Sequence, residues 1–202
     1  MNEWLQSGEA LLFAALALLV GIALSVGAVL LWRRWQWRRR LQKREARIQA
    51  VALMHVRNML VPDGNGNQLH LDWLVLTTRG LLLLDVRDVV GNVFGSEHMV
   101  DWTVMHGAQR HTFPNPLPPL LDRLAVLARL VPELNVEGRV LFTENARFPK
   151  GVPLRCLRLD SLAADFPIVD AGAAAALSSA MTPHWQRLLA QLAPNTTELK
   201  PI

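Results

Sequence analysis

Charged residues interrupt two long apolar segments of the sequence. Asp72 lies within segment 69–77, and Asp85 and Arg87 lie within segment 81–90. Both segments have the length of β-strands and are apolar at most positions, without strict alternation. Such a run is typical of strands covered on both faces. A carboxylate in such a strand is costly unless a cation or hydrogen-bond donors compensate its charge. The three residues therefore predict either a buried ion-pair cluster or an oxygen-rich site for a divalent metal such as Mg²⁺.

The turn between the two segments decides which of these side chains face each other. A two-residue turn at positions 78–79 would place Asp72 opposite Asp85, whereas a turn at positions 79–80 would place Asp72 opposite Arg87. Because side chains two residues apart share a face, either register brings all three residues together. Only an odd-length loop or a bulge would separate them. The sequence thus predicts one polar cluster on an otherwise apolar sheet.

A series of short motifs surrounds these residues. It comprises Leu60-Val61-Pro62-Asp63-Gly64, Leu71-Asp72-Trp73-Leu74, Leu84-Asp85-Val86-Arg87-Asp88, Gly91-Asn92-Val93-Phe94-Gly95, Trp102, Phe113-Pro114-Asn115-Pro116 and Val140-Leu141-Phe142. Over roughly residues 45–160 this series resembles the nuclease-related domain (NERD) family, several members of which carry an N-terminal membrane helix. The resemblance implies an α/β fold with a restriction-endonuclease-like mixed sheet of the PD-(D/E)xK type, flanked by helices.

The resemblance also implies roles for individual residues. Asp72 takes the place of the family's metal-binding aspartate, and Asp85 and Arg87 take the places of Glu and Lys in the E-x-K motif. Glu45 is the best match to the early helical glutamate of the family. These four residues are the candidate catalytic residues, and Asp72 and Asp85 are the candidate ligands of a Mg²⁺ cofactor.

Three positions depart from the family's pattern. Aspartate at position 85 keeps the negative charge but shortens the side chain by one methylene. Arg87 stays protonated, so it can stabilise a phosphate but cannot activate water as a desolvated lysine can. Pro119 stands where the family has a glutamine after Asn-Pro. These departures bear directly on whether the residues can carry out hydrolysis.

Three functional hypotheses follow from the pattern and its departures. The first is a Mg²⁺-dependent phosphodiesterase that acts on DNA. The second is a nuclease-fold module without catalysis that binds nucleic acid or a protein partner at the membrane. The third is a structural membrane adaptor in which Asp72 and Arg87 form a core ion pair.

The N-terminal part of the chain has the composition of a membrane anchor. Residues 10–32 are 23 consecutive uncharged residues, and a helix of that length spans about 35 Å against a hydrocarbon core of about 30 Å. A cleaved signal peptide is the alternative, but it would have a basic start and an apolar core of about 7–15 residues. We therefore expect one transmembrane helix embedded in the lipid bilayer.

The charges beside this segment predict its orientation. Residues 1–9 contain no Lys or Arg, whereas residues 33–47 contain eight. The positive-inside rule then places residues 1–9 outside and the body of the protein in the cytoplasm, as a single-pass protein of the inner membrane. Residues 48–202 carry 13 Lys and Arg against 14 Asp and Glu. The basic character of the chain is therefore explained by topology and attraction to anionic lipid before any nucleic-acid patch.

The remaining sequence predicts one NERD-like α/β domain over residues 48–193 and a loose tail over 194–202. The lack of Pro and Gly predicts a helix from Arg38 to about Leu60, which overlaps the basic juxtamembrane segment 33–47. Segment 120–130 has the apolar spacing of an amphipathic helix, and Gly138–Thr143 has that of a strand. The single Cys156 excludes an internal disulfide and suits a reducing cytosol.

Overall fold

The chain divides into two compact units, Met1–Glu45 and Ala46–Ile202. The computed structural model describes the backbone of residues 3–167 and 171–195, and the side chains of residues 21–167 and 174–195. Helix α1 (Glu3–Gln49) makes up the described part of the first unit and continues four residues into the second. The predicted segments 10–32 and 33–47 therefore belong to one helix.

Among the described residues, no helix combines the length and the apolar character needed to cross a membrane. The side chains of residues 10–20, which form part of the predicted transmembrane segment, lie outside the described residues.

The second unit is a mixed α/β domain. Its elements, in chain order and within the described residues, are β1 (Met54–Pro62), β2 (Gln68–Thr77), β3 (Gly80–Arg87), β4 (Gly91–Phe94), β5 (Asp101–His106), β6 (Gln109–Pro114), α2 (Leu117–Leu130), β7 (Val136–Phe142), β8 (Ala146–Arg147), β9 (Cys156–Arg158), α3 (Leu162–Asp165), α4 (Ala171–Leu189) and β10 (Ala193–Pro194). The first position of the predicted loose tail, Pro194, thus lies in a strand, and residues 196–202 lie outside the described residues.

The strands form two mixed sheets. The larger sheet has the order β10-β1-β2-β3-β7-β9, with antiparallel pairing from β10 to β3 and parallel pairing from β3 to β9. The smaller sheet has the order β6-β5-β4-β8, and only its β4–β8 pair is parallel among the described strands. Two mixed sheets flanked by helices confirm the predicted α/β class and are consistent with a nuclease-like fold.

The central strands β2 and β3 are covered on both faces, as their apolar sequences predict. Leu81 and Leu83 of β3 point to a core that includes residues of α2 and α4, whereas Leu82 and Leu84 point to a second core on the opposite face. The second core is closed by Ile48 and residues of α3. This burial makes any charged residue in β2 or β3 energetically expensive, which is why the polar positions need partners.

The turn between β2 and β3 occupies positions 78–79, the first of the two predicted registers. Thr77 pairs with Gly80, and the pairing continues without a bulge to the positions next to Asp72 and Asp85. The Thr77 hydroxyl donates to the Gly80 carbonyl at 3.0 Å and accepts the Arg79 N–H at 3.1 Å. These bonds fix the tight turn and place Asp72 across from Asp85.

The predicted helix from Arg38 to Leu60 is wrong in its second half. Helix α1 ends at Gln49, and residues 54–62 form β1, which pairs with β2 along its length. The Leu53 N–H donates to the Leu76 carbonyl at 2.8 Å, just before this pairing begins. Helix propensity is a weak prior, and here the unpaired edge of β2 provides a stronger tertiary requirement.

The hairpin turn yields a test of how closely Gly80 packs against Asn135. Gly80 has φ +123°, and a Cβ there would lie 2.3 Å from the Asn135 carbonyl oxygen. We expect Gly80→Ala to lower the free energy of unfolding by more than about 2 kcal/mol, because backbone strain and a steric clash add. Urea unfolding of the full chain, followed by tryptophan fluorescence, measures this loss.

Gly64→Ala is the matched control. Gly64 also has positive φ, +85°, but a Cβ there would meet nothing within 4 Å. Its substitution should cost only about 1 kcal/mol from the backbone conformation. Equal costs at both positions would contradict a tightly packed hairpin at Gly80.

Candidate functional site: a carboxylate pair held by two arginines

Asp72 and Asp85 lie on neighbouring antiparallel strands and face the side of the sheet that α2 covers. The Asp85 side chain is 3% exposed and that of Asp72 is 25% exposed. The Val86 N–H donates to Asp72 Oδ2 at 2.9 Å, so a backbone bond from β3 holds the side chain of β2. The register thus produces the carboxylate pair that the sequence predicts.

The buried charge of Asp85 is compensated by two guanidinium groups. A terminal nitrogen (NH2) of Arg87 donates to Asp85 Oδ2 at 3.0 Å, and the corresponding nitrogen of Arg123 donates to the same oxygen at 2.7 Å. Charge-assisted hydrogen bonds of this kind are the compensation that a buried carboxylate requires. Asp85 is therefore the centre of an ion cluster built from β3 and α2.

Arg123 is the site residue that the sequence prediction missed. It lies on the buried face of α2, near Leu120, Leu124 and Leu127, and the residue is only 8% exposed. A cation between apolar positions spaced three and four residues apart was the available signal, because such a residue needs a buried acceptor. The acceptor lies 38 positions earlier in the chain, so the sequence of the helix alone could not identify it.

Arg87 is the more open of the two arginines. Its side chain is 40% exposed, and its contact to Asp85 uses one terminal nitrogen. Its Nε is buried and has no hydrogen-bond partner among the described residues. A buried donor without a partner is rare in folded proteins, so this guanidinium retains unused capacity to bind an acceptor.

His70 joins the carboxylate pair from the same strand as Asp72. Its Nδ1 lies 3.1 Å from Asp72 Oδ1, and its Nε2 lies 2.8 Å from Asn58 Oδ1. Asn58 Nδ2 donates to the Asn195 carbonyl, which orients the amide so that its oxygen accepts from His70. His70 Nε2 is therefore the hydrogen-bond donor in that contact, and the imidazole is held between two partners.

The electrostatics of the two carboxyls differ. Burial raises the pKa of Asp72 above its ordinary value, and the neighbouring charge of Asp85 raises it further. The Val86 N–H and the charge of His70 act in the opposite direction but are smaller. Asp72 is thus the carboxyl whose ionisation is penalised, and a proton or another cation placed beside it would relieve that penalty.

The fourth predicted residue, Glu45, belongs to the other compact unit. It is in α1 and is the last residue of the first compact unit, whereas Asp72, Asp85 and Arg87 belong to the second. The structure brings the latter three together.

The carboxylate pair has the donor chemistry of an open magnesium site. No group of three or more His, Cys, Asp or Glu residues arranged to hold a metal occurs in residues 3–167 and 171–195 as far as they are described. Mg²⁺, however, is commonly held by only one or two carboxylates, with water and substrate phosphate as its other ligands. Asp72 and Asp85 match that type of site.

The Asn-Pro motif positions α2. Asn115 Nδ2 donates to the carbonyls of Glu97 at 3.1 Å and Met99 at 2.8 Å, and its Oδ1 accepts the Leu117 N–H at 3.0 Å. The carbonyl of Pro119, where the family's glutamine would stand, accepts from Arg123 Nε at 2.9 Å. The motif therefore anchors the start of the helix that delivers Arg123.

Cys156 plays no part in this site. It is buried, and burial raises the pKa of its thiol to about 12. The thiol is protonated at neutral pH and therefore poorly reactive.

The family assignment agrees with this geometry. The model of the nuclease-related domain (NERD) family matches residues 36–143, more than half of the chain, and the chain belongs to that family. The matched range contains Asp72, Asp85, Arg87 and also Arg123. No significant match was found among curated proteins or among solved structures.

The two carboxyls give a paired stability prediction. Asp85→Asn leaves Arg123 buried without its counter-charge, and we expect a loss of about 3–5 kcal/mol in the free energy of unfolding. Asp72→Asn removes a carboxylate whose ionisation is penalised and should raise the melting temperature at pH 7. Thermal melting of both variants beside the parent measures the two effects.

The pH dependence of Asp72→Asn has a defined sign. Because the native pKa of Asp72 is raised, the folded parent binds more protons than the unfolded chain between the ordinary and the raised pKa. The stability of the parent therefore falls as pH rises through that window. The advantage of Asp72→Asn should vanish below the ordinary aspartate pKa, and an advantage that persisted there would assign it to another cause.

Proposed function

We propose that this protein is a metal-dependent phosphodiesterase that cleaves DNA and is anchored in a membrane. Membership of the NERD family suggests a nuclease-related function. The observation that carries the proposal is the cross-strand pair of Asp72 and Asp85, with the half-exposed Arg87 beside it. This combination supplies two carboxylate groups and a cation at one place, an arrangement that metal-assisted phosphodiester hydrolysis can use.

The metal would be held by Asp72 and Asp85. Bound there, Mg²⁺ would supply Lewis acidity and lower the pKa of a bound water. Arg87 contributes a permanent positive charge that orients the phosphate and stabilises the negative charge of the transition state. Glu45 would assist, in the role that the family resemblance gives it.

The finer fold assignment is part of the same proposal. A restriction-endonuclease-like core of the PD-(D/E)xK type places its first aspartate and its E-x-K motif in one sheet. Here β2 carries Asp72, and the adjacent β3 carries Asp85 and Arg87, within a six-stranded mixed sheet flanked by helices. This arrangement supports the assignment.

One observation favours a second function. Asp85 Oδ2 accepts hydrogen bonds from both Arg87 and Arg123, so two guanidiniums balance the charges of the two carboxylates. A neutral cluster attracts Mg²⁺ less strongly than an anionic one. The alternative is therefore a nuclease-fold module that binds DNA or a protein partner at the membrane without cleaving it.

The membrane anchor is supported by α1 considered alone. Large apolar side chains, among them Leu24 and Leu31, are 69% and 70% exposed, which an aqueous environment disfavours. Arg39 lies over the Trp35 ring at 3.6 Å, and Trp32 and Trp37 are exposed. Tryptophan and arginine beside an apolar segment suit the headgroup region of a bilayer.

Cleavage assays on the full chain in mild detergent test the enzymatic proposal. With plasmid and linear DNA in Mg²⁺ or Mn²⁺, we expect cleavage by the parent and by Arg87→Lys, which restores the family's ammonium group. Arg87→Ala and Asp85→Asn should lose cleavage by about 100-fold or more, because the first removes a cation that stabilises the transition state and the second removes a proposed metal ligand.

Arg110→Ala, at an exposed position of β6, is the control and should cleave like the parent. Melting curves of every variant establish that it is folded under the assay conditions. Inactivity of the folded parent in both metals would reject the enzyme in favour of the non-catalytic module.

Reporter fusions test the proposed topology. A C-terminal enzyme that is active only outside the cytoplasm should stay silent, and a reporter active only in the cytoplasm should give a signal. Replacing the arginines at positions 33, 34, 38, 39 and 40 with glutamine, and adding lysines before residue 10, should reverse both signals. A strong external signal from the unaltered chain would overturn the inside location of the domain.

A further inference from the structure

The two arginines on Asp85 are held in very different ways. We propose that Arg123 is a positioning residue: it keeps Asp85 in place and neutralised, so that Arg87 can leave Asp85 and bind a phosphodiester oxygen of DNA. This inference rests on the proposed DNA-binding function and specifies how the site engages the DNA backbone.

Arg123 is fixed from three directions. Its Nε donates to the Pro119 carbonyl at 2.9 Å, and its two terminal nitrogens donate to the His70 carbonyl at 3.0 Å and to Asp85 Oδ2 at 2.7 Å. Its side chain is 10% exposed. A guanidinium with every nitrogen engaged by an acceptor on β2, β3 or α2 cannot turn toward a ligand without breaking the packing of α2 on the sheet.

Arg87 has the opposite properties. Within the described part of the chain its guanidinium makes one hydrogen bond, to Asp85 Oδ2 at 3.0 Å, and 40% of its side chain is exposed. Its buried Nε has no partner among the described residues. Rotation toward an anionic ligand would therefore cost one hydrogen bond and would allow the Nε and terminal N–H groups to bind phosphate oxygens bidentately.

The counter-charge of the buried Asp85 carboxylate determines the free-energy cost of that rotation. With Arg123 in place, Asp85 keeps a counter-charge and its shorter hydrogen bond when Arg87 leaves. Without Arg123, Arg87 is the remaining cation on a side chain that is 3% exposed. Its departure would then leave a buried carboxylate without a counter-charge, so Arg87 would stay on Asp85 instead of binding DNA.

DNA binding measured without metal tests this arrangement separately from cleavage, because the proposed cleavage needs a metal ion. The full chain in mild detergent is titrated into a fluorescein-labelled DNA duplex in EDTA at low salt, and fluorescence anisotropy reports the affinity. Inorganic phosphate, as a competitor, shows whether the bound group is a phosphate oxygen. Arg129→Met, at an exposed position of the same helix, is the matched control and should bind like the parent.

Both arginines should be required, although only one touches DNA. Arg87→Met should weaken binding about tenfold, because a charge-assisted contact is lost. Arg123→Met should weaken binding to a similar extent although Arg87 is intact. Arg123→Lys, which keeps the charge but loses the fork, should fall between Arg123→Met and the parent.

The double variant Asp85→Asn with Arg123→Met is decisive. It removes both members of the buried pair, which leaves no unpaired buried charge and frees Arg87. Its affinity should return to within about threefold of the parent, because Arg87 no longer has a competing carboxylate. If Arg123 served only to pack α2, the double variant would bind as weakly as Arg123→Met.

Melting temperatures identify any variant that fails to fold, and in that case Arg123→Lys and the double variant carry the test. Parent-like binding by folded Arg123→Met, no recovery in the double variant, or no DNA binding by the parent in EDTA would each overturn the inference. Failure of the catalytic proposal looks different: the same binding pattern would be found, but no Mg²⁺-dependent cleavage.

Discussion

The buried carboxylate of Asp85 is the constraint on which the rest of the site depends. A charge in the middle of an apolar sheet is tolerated only if cations reach it with good geometry. Arg87, two residues further along β3, supplies one cation, and Arg123 of α2 supplies the other. The helix can deliver Arg123 because Asn115 anchors its start by four hydrogen bonds to backbone groups, one of them to Ser96. The Asn-Pro motif thereby helps to place the cation that compensates the buried charge of Asp85.

The carboxylate of Asp85 belongs both to the ion cluster and to the proposed metal site. Asp85 Oδ2 accepts hydrogen bonds from two guanidiniums, and a bound Mg²⁺ would draw on the same carboxylate. Asp72 is different, because its ionisation is opposed by burial and by the charge of Asp85. The pair therefore combines Asp85, whose ion pairs stabilise the fold, with Asp72, whose ionisation a bound cation would make less costly. Such a division of roles between neighbouring carboxyls is characteristic of functional sites.

Local patterns predicted this cluster because they determine strand register. Two apolar segments joined by a two-residue turn leave few alternatives, and the observed pairing of Thr77 with Gly80 is one of the two that counting allowed. Strand β1 was missed because its residues have no local feature that outweighs helix propensity; its partner is β2. Arg123 was missed for a related reason: its role depends on an acceptor 38 residues away. Contacts between residues far apart in the chain are the hardest to predict from the pattern of a single sequence.

The departures from the family pattern compensate for one another. Aspartate at position 85 withdraws the carboxylate toward the backbone by one methylene, and arginine at position 87 reaches one bond further than lysine. The Asp85–Arg87 contact at 3.0 Å shows that the shorter acid and the longer base still meet. The same carboxylate lies 2.7 Å from Arg123, whose Nε donates to the carbonyl of Pro119. Position 119 contributes only its backbone carbonyl, which any residue would supply, so the loss of the family's glutamine leaves this contact to Arg123 intact. Asp85, Arg87 and Arg123 therefore form one connected network around a single buried charge.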